Sequence, residues 1–267
     1  PGAAGGRDPE PPMKSEREYR QDIVEICRRM YARGFISGSD GNVSVRLGSG
    51  SLLSTPSGIN KGFLSPRDLI VTDMGGKKLQ GDKKPTGELY LHLEAYRQRP
   101  DIGAVVHAHP PVTIAFSLAG QKLPQCVLPE IVMIFGSIPT ASYATPCTDE
   151  GPRAIAELIG DCDALIIERH GTITVGDTVF TAYDRLEKVE HSAQVSAAAR
   201  QLGPVKPLPR EEIDKLLALR EKLGLKSKVY PCNSCGLCAS SGGAAHTAHG
   251  LVSALSAELY RTLREKL

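Results

Sequence analysis

Apolar residues recur at three- and four-residue steps near the start of the chain. Over 16–33, Ile23, Val24, Ile26, Cys27, Met30 and Tyr31 share one face and the run stops at Gly34, which predicts an amphipathic helix. The period then shortens to two: 38–46 and 51–59 alternate between Gly and Pro boundaries and read as strands with exposed turns, and 69–72 reads as a third. Pro85 opens a helix through Glu88, Leu89, His92, Ala95 and Tyr96, because proline is tolerated in a first turn. The run 102–109 predicts a buried strand, Pro110 opens a helix through Ala115 and Leu118, and 134–140 and 164–170 predict further strands, the latter continued by 171–175. A long helix over 181–202 carries Ala182, Leu186, Val189, Ala193 and Val195. Strands interleaved with helices place the body, 15–205, in the α/β class.

Composition narrows the partners. Lys+Arg 32 against Asp+Glu 30 leaves a net charge of +2, which argues against a dedicated nucleic-acid binder, and no apolar run approaches the roughly 18 residues of a membrane span. Segment 1–14 is rich in Gly and Pro and reads as a disordered leader without the apolar stretch of a signal peptide. Cys27, Cys126, Cys147 and Cys162 are scattered with no disulfide-framework spacing, so the expected location is the cytoplasm.

Side chains two apart on a strand share a face, so His107 and His109 can chelate one cation, although such a pair also occurs as ordinary packing. His170, at the end of another predicted strand and followed by Gly171, is a third candidate. Three neutral imidazoles suit zinc or a similar divalent ion and leave a position open for substrate. Asn42, Ser57, Gly58 and Thr86 lie in Gly-rich or Pro-preceded turns where hydroxyls and backbone N–H groups can meet an anion; the same residues also suit plain turn and cap roles. Arg46, Lys61 and Lys84 are further cations, of a kind usually left solvated at the surface.

The ordered segments Gly41-Asn-Val-Ser44, Thr55-Pro-Ser-Gly-Ile59, Pro85-Thr-Gly-Glu88, Val105-Val-His-Ala-His109, Tyr143-Ala-Thr145 and Arg169-His-Gly171 resemble the class II aldolase and adducin family, in particular its fuculose-phosphate aldolases. The resemblance covers about 15–205. It implies a three-layer α/β/α fold with a mixed or antiparallel central sheet, zinc held by His107, His109 and His170, and Glu88 at the metal as acid/base for enolisation. It also implies a phosphate site of Asn42, Ser57, Gly58, Thr86 and Gly87, with Gly87 standing where a serine is common. The family's tyrosine proton donor has no counterpart in 127–133, where Glu130 is a possible second acid; Tyr143 is expected to pack. Family members are fourfold tetramers, which implies a homotetramer here.

Beyond the body, 206–229 predicts a helix carrying Ile213, Leu216, Leu217 and Leu223. Cys232, Cys235 and Cys238 follow in a Gly/Ser-rich linker, 230–245; they suit either a redox-labile linker or a soft-metal site whose fourth ligand would come from His246, His249 or another subunit. Over 246–267, leucines repeat every four residues from Leu251 to Leu267, the pattern of an amphipathic helix that docks on its own body or on a partner. The segment resembles the encapsulation peptides of bacterial microcompartment cargo, which implies a shell-protein partner for residues 250–267. The expected function is cleavage of a 1-phosphoketose, L-fuculose 1-phosphate or L-rhamnulose 1-phosphate, to dihydroxyacetone phosphate and L-lactaldehyde. Alternatives are a pentulose-phosphate 4-epimerase, a methylthioribulose-phosphate dehydratase or aldolase, or a non-catalytic adducin-like binding module.

Overall fold

A computed structural model describes residues 14–48 and 50–231. The leader through residue 13, the Cys232/Cys235/Cys238 cluster and the segment 246–267 lie outside the described residues. The elements in order are α1 (Glu16–Ala32), β1 (Asn42–Leu47), β2 (Ser51–Ser54), β3 (Ile70–Asp73), β4 (Lys78–Gln80), α2 (Leu89–Gln98), β5 (Ala104–Ala108), α3 (Pro111–Leu118), α4 (Pro129–Phe135), β6 (Thr140–Ala141), α5 (Glu150–Ile159), β7 (Ala164–Ile167), β8 (Gly171–Gly176), α6 (Val179–Leu202) and α7 (Arg210–Lys222). The eight strands form one sheet in the order β4-β3-β2-β1-β5-β8-β7-β6, antiparallel throughout except for the β6–β7 pair.

Alternation along the central strands supplies two apolar faces and hence three layers. Val43, Val45, Leu53, Val71, Ala104 and Val106 point to one side, where α1 and α6 bury Ile23, Ile26, Met30, Ala182 and Leu186 against them. Leu52, Val105, Leu165, Ile173 and Val175 point to the other, under α2 and α5 through Leu89, Leu93, Tyr96, Ile155 and Ile159. A third cluster joins Ala164 and Ile166 to Phe116, Ile131, Phe135 and Val189. Helix α1 starts on a capping box in which Ser15 and Glu18 satisfy each other's backbone N–H, worth about 1 kcal/mol.

Several boundaries differ from the sequence reading. The strand expected over 134–140 is not continuous: its first two residues end α4, where Pro129 presets the first turn, Ile131, Val132 and Phe135 are buried, and Gly136 at φ +67° stops the helix, and strand structure resumes only at Thr140 in the two-residue β6. The helix expected from Pro85 starts only at Leu89, with Glu88 at its N-cap. Strand β7 ends at Ile167, so His170 sits in the β7–β8 turn, where Arg169 takes φ +57°. Helix α5, whose Ile155 and Ile159 are buried one turn apart, and strand β4, whose residues are all exposed, are further elements that the sequence reading did not include. Helix α7 packs on α4 through Ile213, Leu216 and Leu217 against Cys126 and Val132. Cys27, Cys147 and Cys162 are free thiols. Among the described residues no helix is long and apolar enough to cross a membrane.

Candidate metal centre

Sheet order brings the chemistry together. Strand β5 lies between β1 and β8, with Asn42 opposite His107 on one side and Ile173 opposite it on the other. The end of β5, the start of β1 and the β7–β8 turn therefore meet at one edge, above the N-terminus of α2. Two glycines permit the approach. A Cβ at Gly171 would lie 2.3 Å from Ala108 O and 2.9 Å from the His109 ring, and one at Gly41, which holds φ +70°, would lie 2.5 Å from Ile36 Cγ2 and 3.1 Å from His107 O.

Glu88, His107, His109 and His170 each offer one ligand atom, all within 4.8 Å of one another. His107 is fully buried, and its Nδ1 lies 2.8 Å from Thr172 O; a carbonyl only accepts, so Nδ1 carries the proton and Nε2 keeps a lone pair. That Nε2 is 3.2 Å from His109 Nε2 and 3.4 Å from Glu88 Oε2, while Glu88 Oε1 is 3.0 Å from His170 Nε2. Asp40 Oδ2 stands 3.6 Å from His109 Nδ1 on the outer side. Burial pushes His107 and His109 down to about 4, so their rings are neutral at pH 7. Burial raises the Glu88 carboxyl, but His107, His170 and the Asn42 amide outweigh it and hold it well below the usual carboxylate range. Neutral imidazoles and an ionised carboxylate converging on one point are a donor set that fits a first-row divalent cation.

Asn42, which is the buried first residue of β1 and not a turn residue, and the turns of Ser57, Gly58 and Thr86 gather beside this cluster. Asn42 Nδ2 donates to Glu88 Oε2 at 2.8 Å and lies 3.3 Å from Thr86 Oγ1. The loop of Ser57 and Gly58 runs alongside 84–87, tied by Ser57 N to Lys84 O at 2.9 Å and by a bridge between Pro56 and Pro85. A cleft lined by Gly87, Glu88, Cys147, Thr148 and His170 opens onto the cluster. Glu130 is exposed in the first turn of α4 and is not among the residues lining that cleft.

Three side chains depart from expectation. Lys61 is no solvated cation: it is 2% exposed, and its Nζ donates to Ser39 O at 2.8 Å and Ile59 O at 2.9 Å, clipping the loop before β1 to the loop of Ser57 and Gly58. Burial lowers its pKa. Tyr143 is 53% exposed instead of packed. Arg46 lies 4.8 Å over the Tyr96 ring and donates to Tyr96 O, which directs it away from any anion. Lys84 is exposed, as expected. The sequence reading passed over Cys147, which fills the space beside Gly87, and gave His92 no role beyond its place on a helix; its i+4 spacing from Glu88 was the available signal.

Comparison with known proteins identifies the family and the fold. The family described as Class II Aldolase and Adducin N-terminal domain matches residues 21–197. An L-fuculose phosphate aldolase of Methanococcus maripaludis is 37% identical over 177 residues, covering 66% of this chain and 94% of the relative. A 3-oxo-tetronate 4-phosphate decarboxylase of Escherichia coli is 33% identical over 186 residues, 68% of this chain and 87% of the relative. The solved L-fuculose-1-phosphate aldolase of Thermus thermophilus superposes with a TM-score of 0.63 at 29% identity, covering 71% of this chain and 99% of that one. With the fold, the histidine–glutamate cluster and the matched span in agreement, the chain belongs to the class II aldolase and adducin family.

Proposed function

We propose that the protein is a zinc-dependent aldolase that cleaves a 1-phosphoketose, L-fuculose 1-phosphate or L-rhamnulose 1-phosphate, to dihydroxyacetone phosphate and L-lactaldehyde. The observation that carries this reading is the convergence of Glu88 with His107, His109 and His170 inside 4.8 Å, next to the polar turn of Asn42 and Thr86. His107, His109 and His170, with Glu88, would hold the metal, which supplies Lewis-acid polarisation of the substrate's ketone and adjacent hydroxyl. Asn42, Ser57, Gly58, Thr86 and Gly87 bind the phosphate through N–H and hydroxyl donors.

In cleavage the C3–C4 bond breaks, the C4 hydroxyl gives up its proton and becomes the aldehyde, and the electron pair left on C3 takes a proton. Glu88 Oε1, a carboxylate at rest, takes up a proton from solvent, gives it to C3 and returns to the carboxylate, and removes it in the reverse direction, while the proton lost from the C4 hydroxyl passes on to solvent, so the count balances. Glu130 is the candidate for the C4 hydroxyl proton; exposed and outside its own cleft lining, it serves in this reading across a subunit boundary of a homotetramer. Residues 15–205 form the catalytic body, 206–229 its appended helix and 230–245 a linker bearing Cys232, Cys235 and Cys238, a further candidate metal site. Residues 246–267 form an encapsulation peptide for a microcompartment shell protein.

A second reading has an observation in its favour. The 33% identical decarboxylases carry out a reaction that needs no acid at the departing carbon, which suits a chain without a tyrosine in 127–133. Loss of carbon dioxide from 3-oxo-tetronate 4-phosphate followed by protonation also yields dihydroxyacetone phosphate. The deciding experiment combines metal analysis with assays on L-fuculose 1-phosphate, L-rhamnulose 1-phosphate and 3-oxo-tetronate 4-phosphate, comparing wild type with Glu88→Gln. About one zinc per chain and equimolar lactaldehyde, abolished in the variant, supports the aldolase. Carbon dioxide in place of lactaldehyde supports the decarboxylase, and neither product rejects both.

A further inference from the structure

Behind Glu88, on the side away from the histidine cluster, a polar chain runs into the core. His92 sits one helical turn beyond Glu88 on α2 and is 1% exposed. Its Nε2 is 2.5 Å from Asn42 Oδ1 and its Nδ1 is 2.7 Å from Ser44 Oγ; Asn42 and Ser44 are two apart on β1 and so share the face toward α2. Tyr96, one turn further along α2, donates its hydroxyl to Ser44 O at 3.0 Å.

The chemistry of the two ends fixes every donor in this chain. A carboxylate in its ionised form only accepts, so the amide of Asn42 turns its NH2 toward Glu88 Oε2 and its oxygen toward His92. A carbonyl oxygen also only accepts, so His92 carries its proton on Nε2. A ring protonated there alone leaves Nδ1 to accept from the Ser44 hydroxyl. Burial, which pushes His92 down to about 4, keeps the ring in that neutral form. The sequence of donations is Ser44 to His92 to Asn42 to Glu88, with no member left unpaired. Rotating the Asn42 amide by half a turn would set its oxygen against the carboxylate and its NH2 against the Nε2 proton, breaking two buried hydrogen bonds at once.

We infer that His92 is a positioning residue for the proposed reaction: as its Nε2–H tautomer it locks the Asn42 amide, which clamps Glu88 by Oε2 on the His107 side and turns Oε1 to His170. The inference rests on the proposed role of Glu88. It assigns to a buried side chain, out of contact with substrate, the orientation of the group that meets substrate, and outer partners of this kind typically change activity 10- to 100-fold.

The test uses the zinc-loaded, full-length protein. Gln at position 92 keeps an N–H near the place of Nε2, whereas Phe fills the ring volume with no donor. Expected are a wild-type His92 whose 15N spectrum at pH 7 shows a protonated Nε2 and a bare Nδ1, a His92→Phe kcat for L-fuculose 1-phosphate at least tenfold lower with KM within about twofold, and recovery of most of that loss in His92→Gln. If the Phe variant does not fold, His92→Asn, whose short amide reaches Ser44 and not Asn42, replaces it in the same comparison. A proton on Nδ1, wild-type kcat in the variant without the donor, or equal kcat loss in Gln and Phe overturns the inference. A wild type that cleaves no phosphoketose defeats the aldolase reading instead, and the tautomer measurement and the Asn42 side-chain amide resonances then decide the hydrogen-bond clamp on their own.

Discussion

Cys147 occupies the place a side chain at position 87 would need: a Cβ added to Gly87 would lie 2.6 Å from Cys147 Sγ and 3.2 Å from its Cβ. Cys147 reaches that spot with a left-handed φ of +61°. The serine that the family resemblance leads one to expect at position 87 would thus press on a neighbour far away in sequence, which couples the two positions. Gly87→Ser alone should not improve phosphate binding, because the new hydroxyl is forced off line or displaces the 147 loop, at a cost of about 1–3 kcal/mol. Gly87→Ser with Cys147→Gly should bind inorganic phosphate more tightly than wild type, measured by competition against substrate. Additive single effects would show that the positions do not interact.

Glu88→Gln preserves shape while removing the charge. The loss expected for a missing acid/base is about 10²- to 10⁴-fold in kcat, with metal content held by the three histidines. His107→Ala should release the metal as well, measured by elemental analysis after dialysis. Removal of metal from wild type by a chelator should abolish activity and lower the melting temperature, both restored by zinc; a site saturated 1,000-fold above its Kd contributes about 4 kcal/mol.

Lys61→Met would remove the shared donor of the Ser39 and Ile59 carbonyls. Those bonds are part-buried, so water can replace the donor in part and the loss is about 1 kcal/mol, enough for the variant to melt lower. Because those carbonyls anchor the loops on either side of the proposed phosphate turn, KM for a phosphorylated substrate should rise by more than kcat falls. Thermal melts and steady-state kinetics on one preparation check both.

Acid should weaken the metal-free fold through His92. Its pKa is about 4 in the folded chain against 6.5 for a solvated imidazole, so between these values the unfolded chain binds more protons. Stability therefore falls as pH drops from about 6.5 to 4, by a contribution on the order of 3 kcal/mol from this ring. In His92→Gln that contribution is absent, so the urea midpoint of the variant should depend less steeply on pH across the same window.

The strong periods were readable in one dimension. Helices α1, α3 and α6 and strands β1, β2, β3, β5 and β8 follow from apolar spacing and from Gly and Pro boundaries, because each buries one continuous face. The His-x-His pair and the i+4 relation of Glu88 to His92 are likewise written in the order of residues. Other segments were misread or missed: α4 is a short apolar run whose period fits either structure, β4 has no buried residue, and α5, although it buries Ile155 and Ile159 one turn apart, was passed over. What sequence order cannot express is which strands lie side by side. The β1-β5-β8 order sets Asn42 against His107 and delivers His170 from a turn to the same edge. Contacts of that kind join residues dozens of positions apart, and their geometry exists only once the sheet has closed over its core.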